Sequence, residues 1–234
     1  MSISTKSKEQ TIDIEKFIPE LLPIEKSTYQ QLNDVKTTII KIFTNRGFIL
    51  RENRDKYIKK LIEIDNDDQE YTFELDNSKN YNTEIPDKKV YIKFFDYKIT
   101  SINDKSPVGE FIKAHDSDYK FIVVLDITPK TREMIDSDNS SIEVFKFNEL
   151  KSDITEHDLV PLHQVLTMEE GEKVLEAYRA RKRDMPYIRS NEVVAKYYKM
   201  MSGEIVKIIR PSPITGEAVI YRLVIKSKDN RVKT

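Results

Sequence analysis

Leu32, Val35, Ile39, Ile42 and Phe43 recur at steps of three and four, so the chain predicts an amphipathic helix over 29–45. Gly47 ends it as a C-capping glycine would. Tyr71, Phe73 and Leu75 alternate with polar residues and read as a half-exposed strand. Val90 to Phe95 reads as a second strand, and Pro107 opens a helix through about His115. Phe121 to Leu125 is an unbroken apolar run, the pattern of a central strand covered on both faces. Thr128 and Pro129 suit the N-cap and first position of a short helix to Ile135. Ile142 to Phe147 is the next strand. This alternation predicts an α/β domain over 29–152, a mixed sheet flanked by helices.

Lys151 to Leu166 is polar and turn-like, with Pro161, and the domain boundary falls near 151–156. A second domain spans 153–226. Its first helix is announced by Thr167-Met-Glu-Glu170, a capping box in which the Thr hydroxyl accepts from the Glu170 N–H and the carboxylate reaches back. That helix is expected to run to about Arg183, with Val174, Leu175 and Tyr178 inward, and to stop before Pro186. Val193 to Tyr198 suits a short helix. Glu204 to Arg210 and Ala218 to Ile225 read as strands joined by Pro211 to Glu217, where Gly216 is free to take positive φ. The expectation is an α+β module, a β-hairpin packed on two helices. Residues 1–28, with Pro19 and Pro23, form an N-terminal extension. Its Phe17, Ile18, Leu21, Leu22 and Ile24 suit either a docking segment or a tail packed on its own domain. Residues 227–234 are a short basic tail.

Composition narrows the chemistry. The 234 residues are 38% hydrophobic and 34% charged, a polar but ordinary globular balance. No apolar run approaches the roughly 20 residues of a membrane helix, so no membrane partner is expected. The opening MSISTKSKEQTIDIEK lacks the apolar core of a secretory signal. The absence of cysteine excludes disulfides, cysteine-ligated zinc and thiol catalysis. The net charge of −1 conceals an asymmetry: 157–234 carries 15 basic and 10 acidic residues, so the acidic excess lies before it. Neither part holds nucleic acid by bulk charge, so any DNA contact is expected to be local or helped by other proteins. Five glycines leave little for a backbone nucleotide cradle, and there is no phosphate loop, serine elbow or kinase signature.

Four constellations remain. His157 and His163 bracket a Leu-Val-Pro turn; without a third ligand nearby they read as structural or interfacial rather than as a metal site. Pro86-Asp87 and Asp96-Tyr97-Lys98 resemble the acid–acid–lysine pattern of metal-dependent nucleases. A strand from Val90 to Phe95 between them would hold the carboxylates roughly 30 Å apart, too far to share a cation. On the hairpin, Lys207 and Ile209 face one side and Val206, Ile208 and Arg210 the other. One face is expected to cover the helices and part of the other a partner, with Tyr197, Tyr198, Tyr221 and Arg222 suited to anchoring it. Thr128-Pro129-Lys130-Thr131-Arg132 places a helix N-terminus beside two cations, a fit for a phosphate and a weak, sequence-independent DNA contact.

The C-terminal module resembles the small subunit shared by eukaryotic and archaeal DNA-dependent RNA polymerases, that is, subunit 5 of the nuclear enzymes and its archaeal counterpart. The resembling residues are His157-Asp-Leu-Val-Pro-Leu-His163, Pro186, Val194-Ala195-Lys-Tyr197-Tyr198, Gly203-Glu-Ile-Val-Lys-Ile-Ile-Arg210-Pro-Ser212, Thr215-Gly216 and Tyr221-Arg222, in register from 157 to 224. Asp184-Met-Pro-Tyr187-Ile188, Glu192-Val193 and Lys199-Met200 depart from the usual pattern and suggest a divergent, plausibly virus-encoded member. The opening helix, Asn45-Arg46-Gly47-Phe48 and Ile127-Thr128-Pro129 resemble the N-terminal half of the eukaryotic form, which the archaeal form lacks.

The resemblance implies a non-catalytic subunit without cofactor, in which 153–226 is an assembly domain bound to the largest polymerase subunit and 29–152 a jaw domain beside downstream duplex DNA. The expected partner interface is His157, Leu159, Val160, Pro161, His163, Pro186, Tyr197, Tyr198, Lys207, Ile208, Arg210, Ser212, Thr215, Gly216, Tyr221 and Arg222. The expected DNA-proximal residues are Thr128, Pro129, Lys130 and Arg132. Other polymerase subunits are expected as partners, and a homo-oligomer is not. The setting would be the nucleus for a cellular member, the virion and host cytoplasm for a viral one. The rival readings are a free-standing DNA-binding transcription adapter and a metal-dependent nuclease.

Overall fold

A computed structural model describes residues 26–64, 70–79, 85, 88–103, 105–116, 118–138 and 141–226. Most of the N-terminal extension, Asp87 and the basic tail lie outside the described residues. Helix α1 (Thr28–Asn45) forms where the periodicity places it. Ser27 and Gln30 make a reciprocal capping box at its start. At its end Gly47 adopts φ +84°, the Gly47 N–H donates to the Thr44 carbonyl and the Phe48 N–H to that of Phe43. These two bonds are a Schellman motif, and the accompanying apolar contact is Phe48 against Phe43, ring centres 6.2 Å apart. Helix α2 (Arg54–Glu63) has no counterpart in the sequence reading; of its residues only Leu61 is fully buried.

The first sheet has the order β1-β2-β3-β4, made of β1 (Glu70–Glu74), β2 (Lys89–Ile99), β3 (Tyr119–Ile127) and β4 (Ile142–Lys146). β1 is antiparallel to β2, and the other pairs are parallel. Helices α3 (Pro107–Ala114) and α4 (Pro129–Asp138) make the crossovers. Because the strands advance in one direction, both fall on the same face, where Phe111 and Ile135 pack on Ile122, Val124 and Val144. The opposite face, with Phe73, Ile92, Phe121 and Phe145, packs on α1. β3 is central and buried on both faces through Val124, as its apolar run implies. Leu125 departs from that expectation at 53% exposure, because β4 pairs only as far as Val124. A bulge between Phe95 and Lys98 interrupts β2 where it passes this end.

After a one-turn helix α5 (Phe147–Leu150) and a 3-10 turn (Ile154–Glu156) comes a second sheet. It is not a bare hairpin. The hairpin strands β7 (Ile205–Ser212) and β8 (Gly216–Ile225) are flanked by β5 (Leu162–Val165) and β6 (Tyr187–Arg189), in the order β5-β7-β8-β6. The ladder runs to Ser212 opposite Gly216, so three residues turn the chain instead of the expected seven. Gly216 takes φ +75°, the left-handed position such a turn needs. The capping box at Thr167 is present and opens helix α6 (Met168–Ala177), which ends well short of Arg183. Helix α7 (Val193–Tyr197) is the second expected helix. The two helices do not share a face: Ala195 of α7 packs on Val206, Ile208 and Val224, whereas Val174 and Leu175 of α6 pack on Ile205, Leu223 and Ile225.

Phe43 sits at the centre of the first core, its ring 5.4 Å from Phe73 and 5.7 Å from Phe121. Phe43→Ala should therefore cost about 3–5 kcal/mol of unfolding free energy in urea denaturation, with α1 still helical by circular dichroism.

Candidate assembly and nucleic-acid surfaces

The distal end of the second sheet carries the apolar surface. Alternation puts Ile205, Lys207 and Ile209 of β7 on one face with Val219, Tyr221 and Leu223 of β8. Helix α6 covers the Ile205–Leu223 end of it and reaches as far as Tyr221. Beyond α6, Leu162 stands opposite Ile209, and Ile209 opposite Val219, giving an apolar row across three strands. Leu162 is 61% exposed and Val219 42%. Tyr178, expected inward, instead lies exposed beside Tyr221, ring centres 5.7 Å apart. Leu159, on the His157–His163 turn, and Ile214, at the hairpin tip, are also exposed.

The sixteen interface positions expected from sequence divide by burial. Leu159, Pro186, Arg210, Thr215 and Gly216 are exposed, and Lys207, Ser212, Tyr221 and Arg222 half-buried. Tyr197 and Ile208 are interior, which corrects their assignment to a partner surface. Ile208 belongs to the core under α7. The Tyr197 hydroxyl accepts from the Asn45 side chain at 2.8 Å and donates to Asp153 at 3.1 Å. It therefore joins α1 to the second half of the chain. Tyr198 bridges the cores of both halves. Leu162, Ile209 and Val219 do not stand out as a group in the sequence, because their adjacency exists only once β5 pairs with β7.

The two histidines do separate work. His157 is exposed and its Nδ1 accepts from the Leu159 N–H at 3.2 Å. His163 is buried and donates Nδ1–H to the Pro161 carbonyl at 2.7 Å. Val160 and Pro161, between them, are half-buried. Among the described residues no group of three or more His, Cys, Asp or Glu could hold a metal. Of the nuclease-like pattern, Lys98 pairs with Asp126 at 2.9 Å and Asp87 lies outside the described residues.

At the C-terminal ends of β2, β3 and β4, the Thr128 loop is tied to its neighbour strand. The Thr128 N–H donates to the Ile99 carbonyl, and the Thr131 hydroxyl donates to that of Thr100 at 2.7 Å. Pro129 and Lys130 are exposed. Arg132 is turned inward, which corrects its place among outward cations. Its guanidinium holds Glu149 at 3.1 and 3.2 Å and donates to the Val144 carbonyl at 2.9 Å. Two lysines not singled out for this loop flank it. Lys98 and Lys146 both bind Asp126, and hydrogen bonds from Lys146 and then Lys98 hold that carboxyl well below its usual range.

Known proteins resemble this chain along most of its length. The RNA polymerase Rpb5 C-terminal domain matches residues 152–224. The DNA-directed RNA polymerases I, II, and III subunit rpabc1 of Dictyostelium discoideum is 32% identical over 89% of this chain and 98% of its own. DNA-directed RNA polymerase subunit 5 of Acanthamoeba polyphaga mimivirus is 27% identical over 88% of this chain and 97% of its own. DNA-directed RNA polymerase subunit Rpo5 of Thermofilum pendens is 42% identical over 32% of this chain and 95% of its own.

Burial, with the Arg222 charge adding to it, lowers His163 below its ordinary value against the opposing pull of the Pro161 carbonyl and Glu192. Near pH 6.5 the unfolded chain takes up a proton that the folded chain refuses, so stability falls as pH drops through that value. The urea midpoint should fall between about pH 7.5 and 5.5, and His163→Gln should flatten that slope. An unchanged slope in the variant would assign the loss to another group.

Proposed function

The chain belongs to the family of DNA-directed RNA polymerase subunit 5, and on that premise we propose how its two halves divide the work. As a polymerase subunit it has other polymerase subunits as partners. The C-terminal half anchors to the largest of them, and the N-terminal half stands beside downstream duplex DNA. Neither half does chemistry; nucleotidyl transfer stays with the large subunits. A cellular member works in the nucleus and a virus-encoded one in the virion and host cytoplasm.

The observation that carries the anchoring reading is the apolar row in which exposed Leu162 and Val219 flank half-buried Ile209, on a sheet whose other end α6 covers. Contiguous apolar surface of this kind, rimmed by Lys207 and Tyr221, suits a protein interface better than open water. For the DNA side, support comes from the Thr128 loop. Exposed Lys130 sits in the first turn of α4, where free N–H groups and the helix dipole favour a phosphate. Such a contact carries no base information and steadies the duplex without selecting sequence.

Leu162→Asp with Val219→Asp should leave the isolated chain folded and lower its recovery in purified polymerase by about tenfold or more, since charges buried in an apolar interface cost several kcal/mol. Normal recovery would remove this face from the dock. Lys130→Glu should leave assembly intact and weaken crosslinking to downstream DNA, with a salt dependence reduced by about one phosphate contact. Undiminished crosslinking would take the loop out of the DNA path.

A further inference from the structure

The junction between the halves is built around one side chain. Arg46, at the C-cap of α1, is fully buried, and its guanidinium makes a two-pronged pair with Glu143 of β4 at 2.7 and 2.8 Å. Nε donates to the Tyr197 carbonyl at 2.8 Å and a terminal nitrogen to that of Lys196 at 2.9 Å. Both carbonyls lie at the C-terminal end of α7, where they favour a cation. Tyr119 and Lys199 close the cluster. The Lys199 ammonium lies 2.8 Å from the Tyr119 hydroxyl and 3.5 Å from Glu143, and Tyr119 donates to Glu143.

Lys199 brings a second cation to this corner. Helix α7 ends in a Schellman motif, with the Met200 N–H on the Ala195 carbonyl and the Lys199 N–H on that of Lys196. Lys199 occupies its left-handed position at φ +50°, where glycine is the unstrained residue. Exposed Arg179 takes the same conformation at the end of α6, so what bears on the junction is where the Lys199 ammonium sits, beside Glu143.

From Glu143 the connection continues along β4. The next residue, Val144, gives its carbonyl to Arg132 of α4, the helix that opens with Pro129 and Lys130. We infer that Arg46, Glu143 and Lys199 are positioning residues: they fix the angle between the halves and so set where the Thr128–Lys130 loop stands relative to the anchored sheet. The inference rests on the proposed role of that loop at DNA. A surface contact between halves would leave the loop free to swing. A planar guanidinium with every donor engaged permits one orientation.

The 234 residues contain no cysteine, so Leu125→Cys, beside the Thr128 loop but outside its phosphate-facing turn, and Glu172→Cys place spin labels on one exposed site in each half. The expected result is a single narrow inter-label distance in the otherwise unchanged chain, and its loss to a broad distribution in Glu143→Gln. Lys199→Gly is the second variant. It relieves the backbone while removing the side chain with its ammonium, so it keeps the fold while broadening the distance. An unchanged narrow distance in folded Lys199→Gly and Glu143→Gln overturns the inference. In assembled polymerase, a photoreactive group on Leu125→Cys should crosslink a focused stretch of downstream DNA, dispersed by the same two variants. Broadened distances with no crosslink, even in the parent, would sustain the positioning role and sink the DNA reading instead.

Discussion

A guanidinium with no access to water has one way to be stable, which is to have all of its N–H groups engaged and its charge opposed. Arg46 achieves this only when three pieces of chain, distant in sequence, arrive together: β4 with Glu143, the end of α7 with two carbonyls, and Tyr119 at the start of β3. Removing Glu143 leaves buried charge uncompensated, a penalty of several kcal/mol, and removing the carbonyls or the hydroxyl leaves buried donors unpaired. Burial alone would push Glu143 up; the charges of Arg46 and Lys199 outweigh it and hold the carboxyl below its ordinary value. An apolar patch of the same volume would hold the halves about as firmly. What the ion pair adds is direction.

The same requirement explains why Asn45-Arg46-Gly47-Phe48 works as a unit. Gly47 turns the chain, Phe48 locks that turn onto Phe43, and the turn leaves Arg46 facing inward while Asn45 reaches the Tyr197 hydroxyl. On the other side, Lys196, Tyr197 and Lys199 supply two carbonyls, a hydroxyl and an ammonium from one short helix and its cap. The Arg46 guanidinium meets the carbonyl end of α7, where the helix dipole favours a cation. The apolar row on the second sheet is thus presented at a defined angle to the first.

Much of this is legible in the chain because it depends on neighbours in sequence. The face of α1, the capping box at Thr167 and the apolar core of β3 are local patterns, and they appear where the patterns place them. Helix α2 carries an apolar stripe of its own, Tyr57, Ile58 and Leu61 at helical spacing, so its absence from the expected elements is an omission and not a silence of the chain. Strands β5 and β6 have four and three residues, too few for an alternation to register. Helix α6 is shorter than its pattern suggests because it ends in a Schellman motif whose left-handed residue is Arg179, at φ +49°, with no glycine to announce it. Of the site residues, Lys130 can be read from its place in an N-terminal turn. Arg132 reads wrongly as outward, and Arg46 stands out only inside a motif, because their partners lie 17 and 97 positions away. No window along a chain contains such a pair.

The shortness of β6 has a consequence for the life of the chain before it meets its partners. β6 pairs only with Leu223 to Ile225, so among the described residues the outer edge of β8 from Gly216 to Arg222 has no neighbouring strand and can recruit another chain edge to edge. The apolar row on the broad side of the same sheet adds adhesion next to that edge. Copies synthesised in excess should therefore aggregate with time, and prompt incorporation beside a partner is what spares them.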